Sequence, residues 1–176
     1  MSVEIISKVD SLDLATVRAH LQIDDDFTDD DTLIQVYSDV SLNYVENYTR
    51  KSWAVWNLSE VFAEWVNPLY IDWKQEVRAA QLEYTNTAAQ TVTIDITIYA
   101  GNTIREAIAD DYDGGSIKVY FTPYVDAHQK LIAQQARLLM IGDCYSHRED
   151  TITGTIVNAL PNGIGRLLST IEAGGL

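Results

Sequence analysis

The chain has 176 residues, 47% of them hydrophobic and 22% charged, a balance that fits one well-filled globular domain and excludes a disordered chain. Its formal net charge is −14, and its five lysines and seven arginines form no basic stripe, which excludes a tight grip on nucleic acid through phosphate contacts. A lone cysteine, Cys144, allows no intrachain disulfide and fits a reducing compartment. The N-terminal MSVEIISKVD lacks the runs of a signal peptide, and the longest near-apolar run, 136–142, is too short to span a bilayer, so a soluble protein with no membrane partner is expected.

In chain order, SLDLATVRAHLQI predicts a first helix, with Ser11 or Asp13 as its cap and Leu14, Val17, Arg18 and Leu21 at helical spacing. Six aspartates follow within eight positions: Asp24, Asp25, Asp26, Asp29, Asp30 and Asp31. The pattern then predicts a longer helix from Asp31 to Thr49, with Leu33, Tyr37, Val40, Tyr44 and Tyr48 as its apolar stripe and Val36 and Val45 widening it. Arg50 and Lys51 follow its last turn, where cations complement the helix dipole.

Between Trp53 and Tyr124 the period changes from 3.6 to 2. In QTVTIDITIYAG, Val92, Ile94, Ile96 and Ile98 alternate with Thr91, Thr93, Asp95 and Thr97, as in a half-buried antiparallel strand. WAVWNLSEVFAEW, VRAAQLEY and GSIKVYFTPY read as further strands, punctuated by Asn67-Pro68, Thr85-Asn86-Thr87 and Asp113-Gly114-Gly115. A third helix is expected over 125–148, apolar almost all round from Ala136 and therefore the most buried. The tail brings an alternating TITGTIV and then LPNGIGRLLSTI, a short amphipathic helix with Ile164, Leu167, Leu168 and Ile171 on one side. The expected fold is α+β: a small bundle of three main helices plus a short C-terminal helix, with an inserted antiparallel β-sheet. It forms a single domain over 1–176, with helical core at 11–50 and 125–148, β region at 53–124 and tail at 149–176.

Chemistry is sparse. A calcium loop needs alternating oxygen ligands, a glycine at the sharp turn and a distant glutamate, and DDDFTDDD supplies neither glycine nor glutamate. The plain reading is that Asp29, Asp30 and Asp31 cap the second helix, each at about 0.3–1 kcal/mol. DDYDGG at 110–115 reads as a turn. Cys144 and His147 share a helix face beside Asp143, but a cysteine ending the most apolar helix reads as a small hydrophobe. No nucleophile elbow, phosphate loop or dinucleotide motif occurs, so no catalytic residue, metal or cofactor is expected. The acidity also raises the alternative of a DNA mimic, or another non-enzymatic protein, that inhibits a DNA-binding protein. A mimic needs carboxylates spread over a long surface, and here they cluster in one loop.

HLQIDDDFTDDDTLIQVYSDVSLNYVENYTRKSW resembles the opening of the phage head–tail connector (adaptor, head-completion) family through Leu21, Asp24, Asp30 or Asp31, Leu33, Ile34, Tyr44, Val45, Glu46 and Thr49-Arg50. Tyr145, Arg148 and Glu149 are similar to that family's Tyr-x-x-Arg-Glu close, and Pro161, Gly163, Ile164 and Leu167-Leu168 to its proline–glycine tail. The family's glycine between Thr49 and Arg50 is absent, and Gly142-Asp143-Cys144 replaces the aromatic before Tyr145. The resemblance implies a non-enzymatic virion protein of the phage neck. About twelve copies would form a closed ring under the portal protein, extend the channel for passing double-stranded DNA without sequence-specific binding, and meet a downstream neck or tail-completion protein. It would assemble in the host cytoplasm. Some of Asp24, Asp25, Asp26, Asp29, Asp30 and Asp31 would line that channel. A stripe as short as Ile164, Leu167, Leu168 and Ile171 is unstable alone. Its partner is either the protein's own core or, in the reading preferred on sequence grounds, the portal or a neighbouring subunit, with Ile152, Ile156 and Val157 adding a strand to an exposed edge.

Overall fold

The computed structural model describes residues 3–24, 26–105, 108–148 and 162–172. They form an α+β fold whose residues group into two compact units, one built from the N-terminus to Val9 with Ala54–Tyr124, the other from Asp10–Trp53 with the chain from Val125 onward.

The first unit holds strands β1 (Glu4–Val9), β2 (Val55–Phe62), β3 (Leu69–Tyr70), β4 (Val77–Thr85), β5 (Thr91–Ile96), β6 (Thr103–Ile104) and β7 (Ile117–Pro123). Five make an antiparallel sheet in the order β1-β2-β7-β4-β5, and β3 pairs with β6. The four strands expected from the sequence are present. β1 is an addition: its register shifts between Ile5 and Ser7, and that bulge interrupts the period-two signal. The sheet is therefore not built from residues 53–124 alone.

Register explains the core. Leu58, Glu60 and Phe62 on β2 lie opposite Phe121, Val119 and Ile117 on β7, which in turn face Ala80 and Leu82 on β4. The apolar members of this row are buried, and Val92, Ile94, Ile96 and Ile98 extend the cluster while Thr91, Thr93 and Asp95 stay exposed. Trp73 closes it edge-on to Phe121, with ring centroids 6.1 Å apart. Asn102 pins the adjoining loop: its side chain accepts from the Val77 amide at 2.8 Å and donates to the carbonyls of Trp73 and Gln75.

Glu60 is the anomaly in this core. It is 2% exposed, and among the described residues its Oε2 has no hydrogen-bond partner. Burial pushes its carboxyl above the ordinary carboxylate range; the Asp72 amide opposes this and the Asp72 charge adds to it. A group whose folded pKa is raised stabilises the fold fully below the unfolded pKa, and that contribution is lost as pH rises through the folded value. Glu60→Gln should therefore melt higher than wild type at alkaline pH and close to it near pH 4. A melting-temperature difference that does not change between acid and alkaline buffers would contradict this.

The second unit holds α1 (Leu14–Leu21), α2 (Asp31–Thr49), α3 (Ala127–Ser146) and α4 (Asn162–Ser169). Asp13 caps α1 by accepting the Thr16 amide at 2.6 Å. α2 has the expected limits but not the expected face. Its buried residues are Ile34, Ser38, Ser41, Leu42, Val45 and Thr49; Tyr37, Tyr44 and Tyr48 are half-buried, and Val36 and Val40 are exposed. α3 likewise buries one face only, Ala133, Ala136, Arg137, Met140 and Ile141, while Leu131 and Leu139 are exposed. No helix of the described residues is long and apolar enough to cross a membrane.

Both departures trace to Arg137, which is 1% exposed in the middle of α3. Its guanidinium donates through Nη1 and Nη2 to the two carboxylate oxygens of Asp10, at 2.7 and 2.5 Å. It also donates to the Ser41 hydroxyl at 3.2 Å, the Ser38 hydroxyl at 3.0 Å and the Ser38 carbonyl at 3.2 Å. A buried guanidinium needs such acceptors, so α2 turns Ser38 and Ser41 inward and leaves Val36 and Val40 outside. Burial opposes ionisation of Asp10, but the Arg137 hydrogen bonds, the Leu12 amide, the Arg137 charge and Ser38 outweigh it, and its carboxyl lies below the usual range. A depressed folded pKa gives stability that is present above the unfolded value and lost as pH falls through the folded one. Unfolding titrations should show stability lost below about pH 4, with Asp10→Asn flattening that acid limb. Arg137→Met should lower unfolding free energy by about 3–5 kcal/mol at neutral pH. An Arg137→Met chain as stable as wild type would remove the pair from its structural role.

Candidate functional site

The acidic loop is the first candidate surface. Asp30 stands at the N-cap of α2 but makes no side-chain cap bond. Its carboxylate instead accepts from the Tyr145 hydroxyl at 2.5 Å and from Arg148 at 3.1 Å. Asp31 takes Nε and Nη2 of Arg18 at 2.8 and 2.5 Å. The expected cap is thus corrected for these two residues: their charge ties the start of α2 to α1 and to the end of α3. Asp24, Asp26 and Asp29 are exposed, and Asp25 lies outside the described residues. Among the described residues these three carry the loop's exposed negative charge.

The residues that carry the family resemblance converge in this unit. Asp30, Tyr145 and Arg148 meet directly although 115 positions separate the first two. At the other end of α2, Glu46 accepts the Trp53 amide at 2.9 Å, and Thr49 accepts the Trp53 indole N–H at 2.7 Å. Arg50 follows in the left-handed conformation, φ 55°, at the place where the resemblance leads one to look for a glycine. Leu21 packs with Val17, Ile34 and Ile141 in one apolar cluster. The shared pattern is therefore a set of structural clasps.

The Cys144–His147 pair does not have the features of a reaction centre. Burial, followed by the Asp143 charge, raises the Cys144 thiol pKa, the opposite of an activated nucleophile. His147 directs Nδ1 to the Asp143 carbonyl at 3.0 Å. Among the described residues no group of three His, Cys, Asp or Glu side chains is placed to hold a metal.

The C-terminal stripe is placed differently from its sequence reading. Ile164, Leu168 and Ile171 are buried in the protein's own helical unit, where α4 packs on α3 and α2, and Leu167 is half-buried. Own-core packing replaces docking for these three side chains because the cluster of α2 and α3 already covers them. Ile152, Ile156, Val157 and Glu149 lie outside the described residues. Leu168→Ala in the isolated protein should lower unfolding free energy by about 2–5 kcal/mol, the usual cost of a core cavity. An unchanged denaturant midpoint would return the stripe to an outside partner.

Comparisons with known proteins agree with this geometry. The chain is similar in fold to a chain from the "Neck of empty GTA particle computed with C6 symmetry", with a TM-score of 0.56, 18% identity, and coverage of 98% of this chain and 95% of that one. A chain from the "Virion of native gene transfer agent (GTA) particle" gives a TM-score of 0.53 at 19% identity over the same shares, 98% and 95%. At that identity the likeness is one of fold. No curated relative matches the chain at a significant level. The family described as "Phage gp6-like head-tail connector protein" matches residues 11–135, a span from the helix cap of α1 through the acidic loop, α2 and strands β2 to β7 into α3. The chain belongs to the phage gp6-like head–tail connector protein family.

Proposed function

We propose that this chain is a structural, non-catalytic subunit of a phage-type neck, located in the virion at the portal vertex after assembly in the host cytoplasm. About twelve copies close into a ring that docks under the portal protein, extends the DNA channel and presents a surface to the downstream neck or tail-completion protein. The observation that carries this reading is the family match over residues 11–135. The neck and virion assemblies that hold its structural neighbours point the same way.

Electrostatics supports it. A wall that DNA slides past should not hold phosphate, and a net charge of −14 suits such a wall. The acidic loop supplies exposed carboxylates in Asp24, Asp26 and Asp29 for such a wall. The DNA-mimic alternative loses ground, because Asp30 and Asp31 are occupied by Tyr145, Arg148 and Arg18.

The same charge makes copies repel at low ionic strength, and at physiological salt exposed charges are screened over about 8 Å. Mass measurement of the full chain across a salt and concentration series, with and without its cognate portal, should show monomers or small oligomers at low salt. Rings of about twelve should appear with rising salt or on the portal, as closed geometry allows. Rings that dissolve as salt rises, or a chain that ignores the portal, would overturn the proposal.

A further inference from the structure

Of the chain's three phenylalanines, Phe62 and Phe121 are buried in the sheet unit. The third, Phe27, is 42% exposed in the middle of the acidic loop. Its amide donates to the Asp24 carbonyl at 3.0 Å, so a turn presents the ring, with exposed Asp24, Asp26 and Asp29 around it. An aromatic ring left in water forgoes the large burial that makes such side chains dominate interfaces.

The sheet unit carries the converse surface. Thr103 of β6 has a tyrosine on either side: Tyr70 of β3 pairs with it, and Tyr99 exchanges both main-chain hydrogen bonds with it, at 2.8 and 3.2 Å. Paired residues of neighbouring strands point to the same side, so the two tyrosines stand about 10 Å apart with Thr103 between them. Tyr70 is 62% and Tyr99 45% exposed, whereas Thr103 is buried and donates its hydroxyl to the Ala100 carbonyl at 3.1 Å. The arrangement is a slot with two aromatic walls and a small residue at its floor. Arg105, two residues beyond Thr103, holds its guanidinium 5.8 Å from the Tyr99 ring. It forms no ion pair among the described residues. Tyrosine and arginine are the residue types that most often anchor a protein interface.

We infer that the acidic loop of one copy docks on this slot of the next, with Phe27 between Tyr70 and Tyr99 and Arg105 beside the loop's carboxylates. A ring midway in the slot would lie about 5 Å from each tyrosine, within the range that aromatic pairs prefer. A guanidinium stacked on one ring keeps its edge free to donate to a carboxylate. Loop and slot are different surfaces, and each is uncovered within a single chain, so the contact is heterologous and repeats from copy to copy. It rests on the ring reading above and names the surfaces that would close the ring. A second copy is the occupant because the chain itself supplies both the complementary ring and the complementary charge.

The test uses the full chain under conditions in which wild type assembles, with mass photometry as the readout and circular dichroism confirming the fold of each variant. Phe27→Ser and the double variant Tyr70→Ser/Tyr99→Ser should each remain monomeric. Mixed in equal amounts they should give dimers and stop there, because the first keeps an intact slot and the second an intact loop. Arg105→Glu should weaken assembly by about tenfold or more, and Arg105→Lys by less. With benzoylphenylalanine in place of Phe27, light should cross-link it to the segments holding Tyr70 or Tyr99, and only between copies carrying different isotope labels. Rings in both serine variants, or a mixture that stays monomeric, would refute the contact while leaving the ring reading standing. Cross-links within one copy or to other segments would refute it as well. A wild-type chain that stays monomeric at every salt and on the portal overturns the ring reading and this contact with it.

Discussion

One buried ion pair organises the helical unit. Arg137 lies in the middle of α3 and is almost completely removed from water, so its N–H donors need acceptors in place. Asp10 supplies two oxygens just before α1 begins; Ser38 and Ser41 on α2 supply the rest. The price is geometric: α2 must present serines to α3 where aliphatic side chains would otherwise stand. Val36 and Val40 then turn outward while Val45 stays in the core, and Tyr37, Tyr44 and Tyr48 occupy the margins. Demand for hydrogen bonds in the core thus sets which apolar residues reach the surface, and the surface they form is uncharged.

This coupling marks the limit of reading the fold from sequence. Periodicity located α2 from Asp31 to Thr49 and all four long strands of the sheet outside β1, because one face of each element is apolar at a regular spacing. It could not orient α2, since Leu33, Tyr37, Val40, Tyr44 and Tyr48 form as regular a stripe as the true one, which two serines and a threonine interrupt. Only the partner of Arg137 decides between them, and that partner stands 127 positions away. β1 escaped for a local reason, its bulge. Glu60 was legible in principle: alternation in WNLSEVF puts it on the same side as Leu58 and Phe62, and that side is the buried one.

The candidate surfaces were legible to different depths. The acids of the 24–31 loop are conspicuous in composition, but composition does not show that Asp30 reaches Tyr145 and Arg148 while Asp31 reaches Arg18. The family pattern names Asp30 or Asp31 in its opening and Tyr145 and Arg148 in its close, and the fold brings the two parts together. Amphipathicity in the tail established that Ile164, Leu168 and Ile171 need cover. It could not say whose, and the helical unit itself provides it.

A connector must associate with its own copies and with neighbours while carrying a charge that drives copies apart. The arrangement of charge described above reconciles these demands. Where carboxylates are held by Arg18, Arg137 and Arg148, they fasten helices together and add little to the field outside. Asp24, Asp26 and Asp29 face solvent, and in the ring reading they are the carboxylates that repel phosphate. Repulsion between copies then acts as a threshold: a contact of modest apolar area does not hold like-charged subunits together until salt screens them or a scaffold fixes them side by side. A portal, by supplying many equivalent seats at fixed spacing, raises the local concentration of subunits well above that in bulk. In the ring reading, assembly is therefore confined to the vertex by the same acidity that leaves the channel free of bound DNA.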